Sequence, residues 1–224
     1  MSAGVEIWLI RHGETEWSLS GAHTSTTDIP LTEHGRQRAV ELRDYLDGKK
    51  FAAVFTSPMQ RARETCDITG YGDVAVVEPG LMEWNYGESE GKTTKEMREK
   101  YGPEWSVWNS PIVGGEAVEH VGERADGVIA RAMAAAAVLQ EAGPSTTPQD
   151  DKSKGGQEDK SKESQAVALF AHAHILRILA ARWIGLEAVG GRLFSLGTGS
   201  VSVLGFERET RVIAKWNREF EEQE

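Results

Sequence analysis

An arginine and a histidine stand side by side, Arg11-His12, directly after an apolar run from Val5 to Ile10. A buried strand over that run delivers both side chains at its carboxyl edge. Arginine offers a planar fork of donors that fits phosphate oxygens. A neutral imidazole is a nucleophile near pH 7. The pair reads as a group that attacks phosphorus beside a group that holds the oxygens. Such a transfer also needs an acid for the departing oxygen and further positive donors. Glu83 supplies a carboxyl, and Arg61 and His172 supply donors.

The elements around these residues explain how they could meet. Residues 12–31 are rich in Gly, Ser, Thr and Asp and read as a long loop, of the kind that is usually functional. Thr32 reads as the cap of a helix with Ala39, Leu42 and Leu46 on one face. Phe51 to Thr56 reads as a strand. Ser57-Pro58 reads as a helix start, with Ser as N-cap and Pro in first position. Val74 to Val77 reads as a third strand, Gly127 to Glu141 as a helix, and Ala166 to Phe170 as a buried strand. A helix follows His172, with Ile175, Ile178, Leu179 and Trp183 on one face. Val201 to Val203 and Arg211 to Trp216 read as a closing hairpin. Alternating strands and helices predict a three-layer α/β/α sandwich with a largely parallel central sheet. Ligands of such sheets bind beyond the carboxyl ends of the strands. Arg11-His12, Ser57 to Arg61 and His172 all follow strands, so the topology predicts that they converge. Glu83, beyond the third strand and Pro79-Gly80, reaches the same edge.

The 224 residues are read as one domain, 1–224. Residues 143–164 contain no aliphatic or aromatic side chain beyond small ones and read as a disordered insertion. The net charge of −10 gives no global basic field for nucleic acid or an anionic membrane. An anionic substrate would need a local cluster of Arg and His. The single cysteine, Cys66, allows no internal disulfide and reads as a small buried residue. No signal peptide or membrane-length apolar run is read. A cytoplasmic protein is expected, with the nucleus also open, and self-association is left open.

The motifs together resemble the histidine phosphatase superfamily, which includes the cofactor-dependent phosphoglycerate mutases. Arg11-His12-Gly13-Glu14 matches the first motif. Ser57-Pro58 with Arg61, Ala62, Glu64 and Thr65 matches the second, Glu83 the acidic residue and His172 the second histidine. The resemblance implies a phosphoglycerate mutase-like fold. It implies that His12 is phosphorylated during turnover, that Glu83 donates the proton, and that Arg11, Arg61 and His172 hold the transferred group. It also implicates Ser18 and Thr24. Glu83 to Gly87, Glu90-Gly91, Trp105, Trp108, Gly114-Gly115-Glu116 and Phe170 to Arg177 are similar to the sedoheptulose-bisphosphatase-type phosphatases. That likeness implies that His23, Thr24, Tyr86 and Arg177 contact a phosphorylated sugar. Two positions depart from it: Ala173 stands where Gly is usual, and Asn85 where an acidic residue is common.

Other readings stand beside these. His172-Ala173-His174 also has metal-ligand spacing, but no Cys cluster or second His pair accompanies it, so no metal or other cofactor is expected. His174 reads as a helix-start residue that packs or bonds locally. The Trp-rich stretch 84–108 reads as part core and part lid. No Gly-rich phosphate loop adjoins a strand, which argues against a nucleotide-dependent transferase. The expectation is a metal-independent phosphatase of sugar phosphates or bisphosphates. The alternatives are a phosphoglycerate mutase and a non-catalytic module that binds a phosphorylated ligand.

Overall fold

The computed structural model describes residues 4–141 and 165–220. The insertion read at 143–164 lies outside the described residues. In chain order the elements are β1 (Val5–Arg11), α1 (Glu16–Ser20), α2 (Glu33–Leu46), β2 (Ala53–Thr56), α3 (Gln60–Ile68), β3 (Ala75–Val77), α4 (Thr94–Tyr101), α5 (Val118–Glu141), β4 (Gln165–Ala171), α6 (Ala173–Trp183), β5 (Val201–Glu207) and β6 (Thr210–Arg218). The strands form one six-stranded sheet in the order β3-β2-β4-β1-β5-β6. The first four in that order run parallel, and β5 and β6 close the sheet antiparallel.

Side-chain alternation builds a core on each face. On one face Ile7, Leu9, Val167 and Leu169 pack with Val128, Ile175 and Leu179 from α5 and α6. On the other, Trp8, Ile10, Ala168 and Phe170 pack with Leu42, Leu46 and Cys66 from α2 and α3. Strand β4 is buried on both faces, which explains its unbroken apolar sequence. The α/β/α sandwich is therefore present as expected. Ile175, Ile178, Leu179 and Trp183 are buried together, as their spacing predicts.

The parallel register sets the site. Arg11 pairs with Ala171, and Thr56 with Phe170. Three strands thus end at one level, and His12, Ser57 and His172 are the next residues on each. The His12 and Ser57 N–H groups continue the ladder to the Ala171 and Phe170 carbonyls.

Several boundaries differ from the sequence reading. The third helix begins at Gln60, with Met59 as its N-cap, not at Ser57-Pro58. The Ser57 hydroxyl is instead engaged by His172. Strand β2 starts at Ala53 and β3 at Ala75, because Gly72–Val74 forms a 3₁₀ turn. The helix read from Gly127 begins at Val118, so its N-terminal third was missed. Two short helices were also missed. The long loop contains α1, opened by a capping box between Thr15 and Ser18. Thr93 and Glu96 form a capping box that starts α4, a signature visible in the sequence.

Gly13 and Gly35 explain how the long loop is fastened. A Cβ at either position would collide with backbone, Gly13 with Gly35 and Gly35 with Glu14. The two segments touch where neither has a side chain. Glu14 completes the junction by accepting from Thr32 at 2.8 Å and lying 3.1 Å from His34. Gly35→Ala must therefore push the loop off α2. It should destabilise the protein by about 1–3 kcal/mol, as overpacking does. Thermal melting checks this; an unchanged Tm would show that the junction yields freely.

Candidate active site

A cavity of about 370 Å³ opens at the carboxyl edge of the sheet, lined among others by Arg11, His12, Glu83, His23, Tyr86 and Trp108. Ser18 and Thr24 also line it. Seven of the ten residues expected at the site thus meet there. Arg61 and His172 lie fully buried beside it. Arg177 is not among the lining residues; its guanidinium lies 4.7 Å from the centre of the Trp108 ring.

His12 makes one diagnostic bond. Its Nδ1 lies 2.6 Å from the Gly13 carbonyl oxygen. A carbonyl only accepts, so Nδ1 carries the hydrogen and Nε2 keeps its lone pair. Burial, then the charges of Arg11 and Arg61, hold His12 well below the ordinary histidine value of 6.5. The ring is therefore neutral at neutral pH, with the Nε2 lone pair unprotonated.

His172 is fixed the opposite way. The Arg61 Nε–H donates to its Nδ1 at 3.1 Å. Its Nε2 then carries the hydrogen, 2.8 Å from the Ser57 hydroxyl. Its ring lies 5.1 Å from that of His12. Arg61 also donates to the Thr24, Ser25 and Thr27 carbonyls. It orients His172 and anchors the loop as well as contributing charge.

Arg11 differs. One Nη donates to the Leu196 carbonyl, while its buried Nε has no acceptor among the described residues. A buried unpaired N–H costs about 1–3 kcal/mol, and an anion's oxygen would remove that cost. Burial lowers Arg11 to about 10, with the Glu83 charge opposing the shift, so it stays protonated at neutral pH.

Glu83 sits against the start of α6. Its Oε1 accepts from the Trp84 and Ile175 N–H groups, each at 2.9 Å. Its Oε2 accepts only the His174 N–H, at 2.9 Å. A carboxylate offers about two lone pairs on each oxygen. Oε1 is filled, and the remaining position, where a proton can reside, is on Oε2.

The outer wall is aromatic. The Tyr86 hydroxyl and His174 Nδ1 are 2.5 Å apart, and the His174 ring packs against Trp108. His23 Nδ1 lies 2.6 Å from the Lys92 carbonyl, so a neutral His23 offers Nε2 as an acceptor. That suits a substrate hydroxyl better than a second phosphate. The Ser18 hydroxyl is engaged by both the N–H and the carbonyl of Thr15. Asn85 closes its own turn through the Gly87 N–H and is not among the lining residues. His172 and His174 engage different partners, and no metal-binding cluster of three or more His, Cys, Asp or Glu is found among the described residues. The sequence reading gave His174 only a local role and missed Trp17 as a lining residue. No spacing rule points to either: Trp17 lies in α1, too short to show a helical period, and His174 lies in the first turn of α6.

His12, His172 and His174 are all held well below 6.5, in each case chiefly by burial. Between the lowered values and 6.5 the unfolded chain binds more protons than the folded one. Stability therefore rises with pH through that window and falls on acidification below about 6.5. Tm should decline from pH 6.5 towards pH 5, and the triple substitution of these histidines by Gln should flatten the decline. An equally steep decline in the triple variant would place its cause elsewhere.

The chain matches the family model of the histidine phosphatase superfamily, branch 1, over residues 7–146 and 155–219. It is 34% identical over 209 residues to an acid phosphatase of Mycobacterium tuberculosis, covering 92% of this chain and 89% of that protein. It is 32% identical over 200 residues to the sedoheptulose 1,7-bisphosphatase of Saccharomyces cerevisiae, covering 80% of this chain and 67% of that protein. A solved structure of an open reading frame from Mycobacterium tuberculosis superposes with a TM-score of 0.75 at 31% identity, covering 96% and 98% of the two chains. No described helix is long and apolar enough to cross a membrane. The chain belongs to the histidine phosphatase superfamily, branch 1.

Proposed function

We propose that the protein hydrolyses sugar phosphates or bisphosphates through a phosphohistidine on His12, with no metal ion required. The observation that carries this reading is the tautomer of His12. Its Nδ1–H is committed to Gly13, which leaves Nε2 for the cavity that Arg11 and Glu83 also line. In the first step the Nε2 lone pair attacks phosphorus. The phosphorus–oxygen ester bond breaks, its electron pair leaves with the alkoxide, and Glu83 Oε2 delivers the proton. In the second step water attacks phosphorus, Glu83 takes the water's proton, and the phosphorus–nitrogen bond breaks to return the lone pair to His12. Arg11 bears on the phosphoryl oxygens and the charge of Arg61 adds to the positive field, while the neutral His172 turns its Nε2–H to them by leaving the Ser57 hydroxyl.

The wall supports the substrate class. Aromatic rings beside a hydrogen-bond acceptor suit the mixed C–H and hydroxyl surface of a sugar. The sedoheptulose-bisphosphatase relative supports that class. The phosphatase reading is favoured over the mutase reading by the compact stretch between Glu83 and α5, which leaves water a route to the phosphohistidine. The set of nucleophile, acid and cations argues against a pure binding module, since binding alone needs no acid.

His12→Ala should lower kcat on nitrophenyl phosphate by at least about 10³-fold. Wild type mixed with radiolabelled substrate in excess EDTA should acquire an acid-labile label that the variant lacks. Near wild-type turnover in the variant, or loss of labelling on chelation with recovery on added zinc or magnesium, would overturn the mechanism.

Sedoheptulose 1,7-bisphosphate and fructose 1,6-bisphosphate should release phosphate with higher kcat/KM than 3-phosphoglycerate. The comparison is paired with an assay for 2-phosphoglycerate in the presence of 2,3-bisphosphoglycerate. Efficient interconversion of the phosphoglycerates, with little phosphate released from either sugar, would make the protein a mutase.

A further inference from the structure

The segment that carries Glu83 is irregular, yet a general acid has to be placed to within a few tenths of an ångström. The turn Pro79–Leu81 precedes Glu83 and the turn Gly87–Ser89 follows it. Neither belongs to the sheet, so something else must hold the acid's backbone.

One ion pair grips it on both sides. Arg124, on α5, donates through Nη1 to the Gly80 carbonyl at 2.9 Å and the Met82 carbonyl at 3.0 Å. Its Nε and Nη2 donate to the two carboxylate oxygens of Glu116, at 2.8 and 2.9 Å. Glu116 in turn accepts the Asn85 N–H on Oε2 at 3.1 Å. The Glu116 backbone adds two bonds: its carbonyl accepts from the Trp84 indole, and its N–H donates to the Asn85 carbonyl, both at 2.9 Å. Residues 80, 82, 84 and 85 are therefore tied to a single pair, and Glu83 is the residue between.

The pair is itself well braced. Gly115 packs so closely on the Asn85 carbonyl that a side chain there would collide. Gly87, at φ +49°, meets the Val113 carbonyl in the same way. Both side chains are about three-quarters buried, at 25% and 23% exposure. Burial works against the Glu116 charge, but the Arg124 bonds and the Asn85 N–H outweigh it and hold the carboxyl below its ordinary range.

We propose that the Arg124–Glu116 pair is the device that positions Glu83 for proton transfer. The proposal rests on the assignment of Glu83 as the acid. Neither residue touches the reacting atoms; both act through the backbone on either side of Glu83. A lysine at 124 keeps the charge but cannot grip a carboxylate bidentately and two carbonyls at once.

The test compares phenyl phosphate, whose leaving group needs a proton, with nitrophenyl phosphate, whose leaving group needs little help. Full general acid catalysis contributes about 10²–10⁴-fold, so a displaced acid loses part of that. Arg124→Lys should lower kcat on phenyl phosphate by about 10- to 100-fold, and on nitrophenyl phosphate by less than about threefold. KM should change little on either. Combined with Glu83→Gln, it should cost almost nothing more on phenyl phosphate, because the acid it positions is already gone. Equal losses on both substrates, or losses that multiply in full with Glu83→Gln, would reduce the pair to a structural brace and overturn the proposal. Glu116→Gln, which keeps the shape and both backbone bonds, gives the same reading if Arg124→Lys does not fold. Glu83→Gln alone separates the two levels: if it is itself unselective between the substrates, the assignment of the acid falls, and the proposal falls with it.

Discussion

Two guanidinium groups share one edge of the sheet, that of Arg61 fully buried and that of Arg11 buried at its Nε. Burying positive charge is costly unless it is hydrogen-bonded and balanced. Much of the site's architecture answers that constraint. Arg61 is met by three loop carbonyls and by the Nδ1 of His172. Glu83 brings a carboxyl whose charge opposes the loss of protons from both arginines. The same two cations help keep His12 and His172 neutral, which suits a nucleophile. Among the described residues, Arg11 alone keeps a buried side-chain N–H without a protein acceptor, at its Nε.

The sheet and the N-terminus of α6 supply the frame for these charges. Parallel pairing of β1 with β4 and of β4 with β2 ends three strands at one level, so three chemically active residues emerge together. Helix α6 then offers two N–H groups to Glu83 at its first turn. Those two N–H groups have no partner within the helix, so the carboxyl satisfies them and fixes its own orientation. His12 is held by regular structure. Glu83 is held by a helix end, and the backbone on either side of it by an ion pair that spans irregular backbone.

Much of this was legible in the residues. The order of strands and helices followed from apolar runs and period, because each core-facing residue is buried for the same reason that it is apolar. Convergence of Arg11, His12, Arg61 and His172 followed from their places after parallel strands. The boundary errors have local causes. Ser57-Pro58 carries a helix-start signature, yet the Ser57 hydroxyl is engaged by His172, a partner 115 residues away, and the helix begins two residues later than the signature places it. The first turns of α5 are not legible as helix because Val118–Asp126 mixes charged and apolar residues.

The sequence by itself determined the sandwich, the edge at which the chemistry lies and the types of group that perform it. Those are set by hydrophobic period and by motifs whose residues are close along the chain or follow strands. The tertiary structure alone decided the tautomers of His12 and His172, the bonding of each Glu83 oxygen, the packing of Arg177 on Trp108 and the grip of Arg124 and Glu116 on the backbone around Glu83. Each of these depends on which donor meets which acceptor within about 3 Å. Such meetings join segments far apart in the chain, and no pattern within one segment encodes them.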